Sequence, residues 1–322
     1  AAKAGQSIAE LDESDQEALD ALIRLYESAE QWEKLVEALN GKARFTDSKD
    51  ALTELKHRAG QVLMEKLNDT ERAIEVYKDA LIHDAQDGVA LDALENIYAS
   101  REEWTDVQDI LMRRMTAVDE ERERIPFYIK LAALAEEKFE NIEEAISHWL
   151  QIKQTDEEHE EAYAQLERLF EKEQRWYDLA DIHGEHAALY GRRGQSDLEV
   201  AQLVKASHIW ESKLENAEKA TEMLEKILES DPGNVAALNG LARIYESQEQ
   251  WEKCKEVLAQ AAASGPTGRD GAELYYRQGR VEEQLDHPQE AVAHYEKALE
   301  LDETHPEALE TLEKWAREKQ DW

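Results

Sequence analysis

The sequence predicts an all-α protein assembled from one repeated helical unit, and three observations carry that expectation. Glu, Ala and Leu dominate the 322 residues while Gly (13) and Pro (5) are sparse, a composition that favours helix. Apolar residues fall at i, i+3, i+4, i+7 along most of the chain, which is the spacing of one helix face. The stretch 16–32 is then restated: Ala18, Leu19, Leu22, Tyr26 and Trp32 recur as Ala90, Leu91, Leu94, Tyr98 and Trp104, a step of 72 residues. The pattern returns at Ala162, Tyr163, Leu166, Phe170 and Trp176, at Ala237, Leu238, Leu241, Tyr245 and Trp251, and at Ala308, Leu309, Leu312, Ala316 and Trp322.

Taken in order, the chain opens on 1–15, where Ile8-Ala9-Glu10-Leu11-Asp12 matches Ala298-Leu299-Glu300-Leu301-Asp302 and reads as the end of a preceding repeat. Apolar positions 18, 19, 22, 25 and 26 predict a helix over 16–28, and Trp32, Leu35, Val36 and Leu39 predict a second, with Gly41 near its end. Leu55, Ala59, Val62 and Leu63 predict a third helix ending around 67–69, partnered by a fourth carrying Ala73, Ile74, Tyr77, Ala80 and Leu81. That fourth helix has copies at Ala145, Ile146, Trp149 and Ile152, at Ala220, Leu224, Ile227 and Leu228, and at Ala291, Val292, Tyr295, Ala298 and Leu299. Two kinds of hairpin therefore alternate.

Residues 272–305, AELYYRQGRVEEQLDHPQEAVAHYEKALELDETH, resemble a tetratricopeptide repeat of 34 residues, with Tyr275 at motif position 4, Gly279 at 8, Ala291 at 20, Tyr295 at 24 and Ala298 at 27. Small residues at 8 and 20 let the paired helices approach closely, and larger ones fill the groove between neighbouring repeats. Counted from this match, repeats begin near 16, 54, 88, 126, 160, 201, 235 and 272, with 306–322 the first helix of a truncated ninth. The resemblance implies one right-handed α-solenoid over 1–322 that works as a protein-protein interaction scaffold, binding a peptide or partner protein along a concave groove. Steps from odd to even repeats are 38, 38, 41 and 37 residues against 34 from even to odd, which predicts longer second helices or looser connections in the odd hairpins. Odd hairpins also carry Leu35, Val107, Leu179 and Cys254 at position 20, and should be splayed wider. Most even repeats have Gln61, Ala133 and His208 at position 8 instead of Gly, and residues 191–194 and 264–268 are the best loop candidates.

With 74 acidic against 38 basic residues, the net charge of −36 disfavours nucleic acid and anionic membrane as partners. The same charge also serves solubility. No apolar run is long enough to span a bilayer and no signal peptide is visible at the start. The single cysteine, Cys254, allows no internal disulfide and fits a reducing, cytoplasmic setting, although the chain reads as a piece of a longer array from which a targeting signal could be missing.

In the family, first helices line the groove at positions 2, 5, 9 and 12, and those positions hold Arg24, Arg58, Lys130, Arg168, Lys205, Arg243, Arg280 and Lys314. Such a stripe would hold the carboxylates of an acidic segment. Its competing reading is a solvated face laced by i, i+3 pairs, Arg24 with Glu27, Arg168 with Glu171, Arg243 with Glu246 and Arg280 with Glu283. Family members that clamp a chaperone tail need Lys where this chain has Asp92 beside Asn96, so that activity is not expected.

The five Trp residues read as core packing, Cys254 as a buried structural thiol, and His183-Gly184-Glu185-His186 as an incidental pair without a third metal ligand. No phosphate loop or nucleophile elbow is present, so no catalytic residue, metal or cofactor is assigned. Three other readings remain open at this point: a regulatory or substrate-recruiting module of a larger enzyme or signalling protein, a nucleic-acid-binding helical repeat, and an array that is monomeric or weakly self-associates end to end.

Overall fold

The computed structural model describes residues 16–319, all of whose regular elements are helical. Two compact units divide the chain after Asp156. The first holds four hairpins: α1 (Gln16–Ser28) with α2 (Trp32–Arg44), α3 (Lys49–Val62) with α4 (Thr70–His83), α5 (Gly88–Ser100) with α6 (Trp104–Thr116), and α7 (Ile125–Glu137) with α8 (Ile142–Thr155). A π-helical turn, Leu63–Leu67, continues α3, and a 3-10 turn, Glu121–Arg124, leads into α7. The second unit holds α9 (Glu160–Lys172) with α10 (Trp176–Arg192), α11 (Ser196–Ser212) with α12 (Ala217–Ser230), α13 (Val235–Ser247) with α14 (Trp251–Ala262), α15 (Gly268–Gln284) with α16 (Pro288–Leu301), and a last helix, α17 (Pro306–Lys319). The expected repeat tail at 1–15 and the fifth copy of the Trp, Trp322, lie outside the described residues.

Within each unit a helix packs chiefly on the helices just before and after it in sequence. Each unit is thus an all-α solenoid in which every hairpin buries its apolar face on its neighbours. In the first unit a continuous core runs from Val36 through Tyr77, Leu94 and Ile110 to Leu134. The position-20 alanines Ala73, Ala145, Ala220 and Ala291 are fully buried where paired helices touch.

The extra residues of the odd-to-even steps are taken up in three ways: a longer second helix in α10, a long connection over 117–124, and early starts of first helices. Second helices of the odd hairpins have 13, 13 and 12 residues in α2, α6 and α14, and only α10 is longer, at 17. Three of the even hairpins start their first helices early: α3 begins at Lys49, α11 at Ser196 and α15 at Gly268, ahead of the counted starts. Gly41 does not end α2, which continues to Arg44. Gly191 and Arg192 belong to α10, leaving a three-residue turn in which Gly194 takes φ +68°, whereas 263–267 is a genuine five-residue connection.

Position 8 in three of the four even hairpins is also displaced by one residue. Gly60, Ala132 and Ser207 are buried there, while Gln61, Ala133 and His208 face solvent. A Cβ built on Gly60 would stand 2.5 Å from the Tyr77 ring, the relation Gly279 has with Tyr295. The added residue is taken up in a wide last turn, as the π turn after α3 and as i→i−5 bonds from Phe139 N–H to Leu134 O and Leu214 N–H to Ile209 O. Counting back from Tyr77, Trp149 or Leu224 by the family's regular spacing therefore lands one residue late.

Candidate functional site

All eight cations of the expected stripe lie on first helices, but they differ in what holds them. In the first unit Arg58 pairs with Glu27 of α1 at 2.5 Å, and Lys130 pairs with Glu95 of α5 at 2.5 Å. Arg24 is exposed. In the second unit Arg243 grips Glu211 of α11 through Nε and Nη2 at 2.5 to 3.1 Å, which raises its pKa further. Arg168 donates to Gln165 at 2.8 and 3.0 Å, and Arg280 and Lys314 are exposed. The intrahelical lacing is therefore not the main pattern: Glu27 is taken by Arg58 and Glu246 by Arg277, each from a neighbouring hairpin. Asp92, the residue that disfavours a chaperone-tail clamp, is paired with Arg114 at 2.6 Å.

Two of the eight, Arg168 and Lys205, meet in a groove of about 630 Å³ in the second unit. Its walls are α9 and α11 and its floor is α10: Leu179 and Ile209 supply apolar surface, and Trp176, His208 and Lys213 line it as well. Lys205 is exposed and makes no ion pair among the described residues. Two carboxylates, Glu167 and Glu171, share the wall with it.

Glu167 is held from below. His186 and His183 are both buried, and a carboxylate can only accept, so the imidazole N–H donates to it. His186 Nδ1 lies 2.6 Å and His183 Nδ1 3.5 Å from Glu167 Oε1, while His183 also donates to Gln202 Oε1 at 2.6 Å. Tyr163 and Tyr190 stack on the two faces of His186 at 4.8 and 4.4 Å. Burial alone would raise the Glu167 pKa, but the hydrogen bonds and charges of His183 and His186 outweigh it and bring the pKa to about 2. The two histidines are thus a built polar cluster rather than an incidental pair, although among the described residues no group of His, Cys, Asp or Glu is arranged to hold a metal ion. Cys254 is fully buried, its thiol pushed up to about 12 by burial and by Glu246.

Of the repeated Trp residues, Trp32, Trp104, Trp176 and Trp251 are half-buried, and Trp32 and Trp104 pack against the core. Lys66, Lys138 and Lys213 stand over the rings of Trp32, Trp104 and Trp176 at 5.5, 4.7 and 5.0 Å, so each Trp joins its hairpin to the next by packing and a cation–π contact. Lys213, Glu167 and Gln202 were not singled out from the sequence, and His208 was noted only for its repeat position. Aligning the 72-residue units would have found part of this, because Lys66 and Lys138 each follow their Trp by 34 residues and Arg114 gives way to His186, whereas Lys213 follows Trp176 by 37.

This geometry agrees with sequence comparison. Tetratricopeptide repeat profiles match residues 213–276 and 272–305, so this part of the chain carries tetratricopeptide repeats. No curated protein matches it significantly. Among solved structures it is similar to a tetratricopeptide repeat protein from Parabacteroides merdae, at 15% identity over 92% of this chain and 97% of that one with a TM-score of 0.33. It is similar too to the C-terminal part of a repeat protein from Cytophaga hutchinsonii, at 14% identity over 79% and 98% with a TM-score of 0.42. A third is YrrB, described as a TPR protein with an unusual peptide-binding site, at 22% identity over 57% and 89% with a TM-score of 0.31.

Proposed function

We propose that this protein, as a tetratricopeptide interaction scaffold, takes an acidic segment of a protein partner into the groove between α9 and α11. The observation that carries the reading is Lys205. In a chain with 74 acidic and 38 basic residues a lysine is easily neutralised from within, yet Lys205 lines an apolar-floored groove with no ion pair among the described residues. Arg168 and Lys213 add positive charge beside it, and Leu179, Ile209 and Trp176 offer surface for apolar side chains between the partner's carboxylates. The mechanism is passive: a preformed groove presents several modest contacts, and their spacing along the partner supplies specificity.

A short fluorescein-labelled peptide of Glu and Leu, titrated with the full chain and followed by anisotropy, tests this. Lys205→Glu and Arg168→Glu are each expected to weaken binding at least roughly tenfold, the equivalent of about 1.4 kcal/mol. Arg243→Glu serves as the comparison, because that guanidinium is already engaged by Glu211. Equal affinity for the native chain and Lys205→Glu, or equal binding of a Lys-and-Leu peptide, would rule the reading out.

A further inference from the structure

Glu95 in the first unit and Glu167 in the second occupy the same place in successive 72-residue units, but their surroundings differ in a coordinated way. Arg114 and Lys130 hold the first, with Leu111 in the same groove and Phe127 under the Arg114 guanidinium; His183 and His186, 72 residues on, and Gln202 and Lys205, 75 residues on, stand at the matching places around the second. In the first unit the chain's own charges close on themselves. Arg114 reaches Asp92 at 2.6 Å and Glu95 at 2.5 Å, and Lys130 takes the other Glu95 oxygen at 2.5 Å. Two carboxylates are thereby matched by two cations.

In the second unit Ala164 stands where Asp92 would be, so one carboxylate is gone. The remaining one, Glu167, receives its hydrogen bonds from the buried imidazoles, and Gln202 fixes His183 by accepting from it at 2.6 Å. A buried carboxylate that is already paired exerts little further pull on a flexible, well-hydrated lysine, whereas one lacking partners would recruit the nearest cation.

We propose that His183, His186 and Gln202 are positioning residues that hold Glu167 away from Lys205, and that this keeps the Lys205 ammonium for a carboxylate of the bound partner. The first unit has the same lysine position, but Lys130 is closed off by Glu95. Exchange of a few side chains thus separates an open site from a self-neutralised one. The identity of the ligand rests on the groove reading above; the state of the two lysines does not.

Competitive acetylation of the full chain with limiting acetic anhydride, read by peptide mass spectrometry, measures both lysines without any ligand. Lys205 is expected to react several-fold faster than Lys130, because only a deprotonated amine attacks the anhydride and Lys130 must first give up its contact with Glu95. The triple variant His183→Leu/His186→Leu/Gln202→Leu leaves Glu167 without these hydrogen bonds, so that it recruits Lys205 and slows it toward the Lys130 rate. Adding Glu167→Gln to it should restore the rate. Glu95→Gln should in turn quicken Lys130, and this arm stands even if the triple variant fails to fold. Equal rates for the two lysines in the native chain, or a Lys130 rate unmoved by Glu95→Gln, would overturn the proposal. With the Glu-and-Leu peptide, the triple variant should bind roughly tenfold more weakly and recover with Glu167→Gln. If acetylation behaves as expected but the native chain binds no peptide, the ligand reading fails while the lysine assignment holds.

Discussion

Glu167 ties the fold of the second unit to acidity. Its pKa falls from 4.5 to about 2 on folding, although burial pulls the other way, because His183 and His186 hydrogen-bond and charge-stabilise its ionised form. A depressed carboxylate pKa stabilises the folded state fully above the unfolded value and loses that contribution as pH falls through the folded one. The window here runs from about pH 4.5 down to about pH 2 and is worth on the order of 3 kcal/mol. Glu167→Gln is accordingly expected to unfold at lower urea than the native chain at pH 7, and the difference should shrink as both are titrated toward pH 2. A difference of constant size across that range would show that the histidine cluster is not the source. The cluster was only half legible: His183 and His186 are visible as neighbours on one helix, but Glu167 comes from α9 and Gln202 from α11, and only packing of the three helices joins them.

At the level of the elements, close approach of paired helices explains the glycines. Gly60 faces Tyr77 and Gly279 faces Tyr295, and both rings are buried, so neither can swing away from an added methyl. Gly60→Ala is expected to destabilise the chain by roughly 1–3 kcal/mol through overpacking. Gly184, in the middle of α10, has nothing within 4 Å of its would-be Cβ, so Gly184→Ala should instead stabilise by roughly 0.5–1 kcal/mol through helix propensity. Thermal unfolding of the two variants should move in opposite directions; a matching shift would mean that the Tyr contact is not what limits the Gly60 site. Helix existence was readable here, since burial repeats at one-face spacing. The one-residue offset at Gly60 was not, because a wide last turn adds a residue without disturbing the apolar pattern on either side. Nor were the turns: within each hairpin one residue takes a left-handed φ of 51 to 62°, and Glu30, Glu102, Glu140, Gln174, Glu215 and Glu249 are not types that favour it. Backbone bonds across the turn, such as Gln31 N–H to Tyr26 O at 2.9 Å, hold them there.

Over the whole molecule, the net charge of −36 opposes any acidic ligand at long range while the cations of the groove favour it at short range. Screening decides between them: the Debye length is about 30 Å at 0.01 M salt but about 8 Å at 0.15 M. Affinity for the Glu-and-Leu peptide is therefore expected to rise from very low salt to a maximum near physiological strength and to fall beyond it. A steady decline from the lowest salt upward would mean that the net charge has no part in recognition. The sequence by itself determined that this is an array of helical hairpins with a 72-residue double period, because each hairpin buries its apolar face on the next and the pattern of burial is written locally. Only the tertiary structure decided which basic residues remain available. Arg58, Lys130 and Arg243 find their carboxylates on the preceding first helix, about thirty residues away at Glu27, Glu95 and Glu211, and Lys205 finds none among the described residues. Charge pairing depends on which side chains of neighbouring helices come within reach, and spacing along a single helix does not contain that distance.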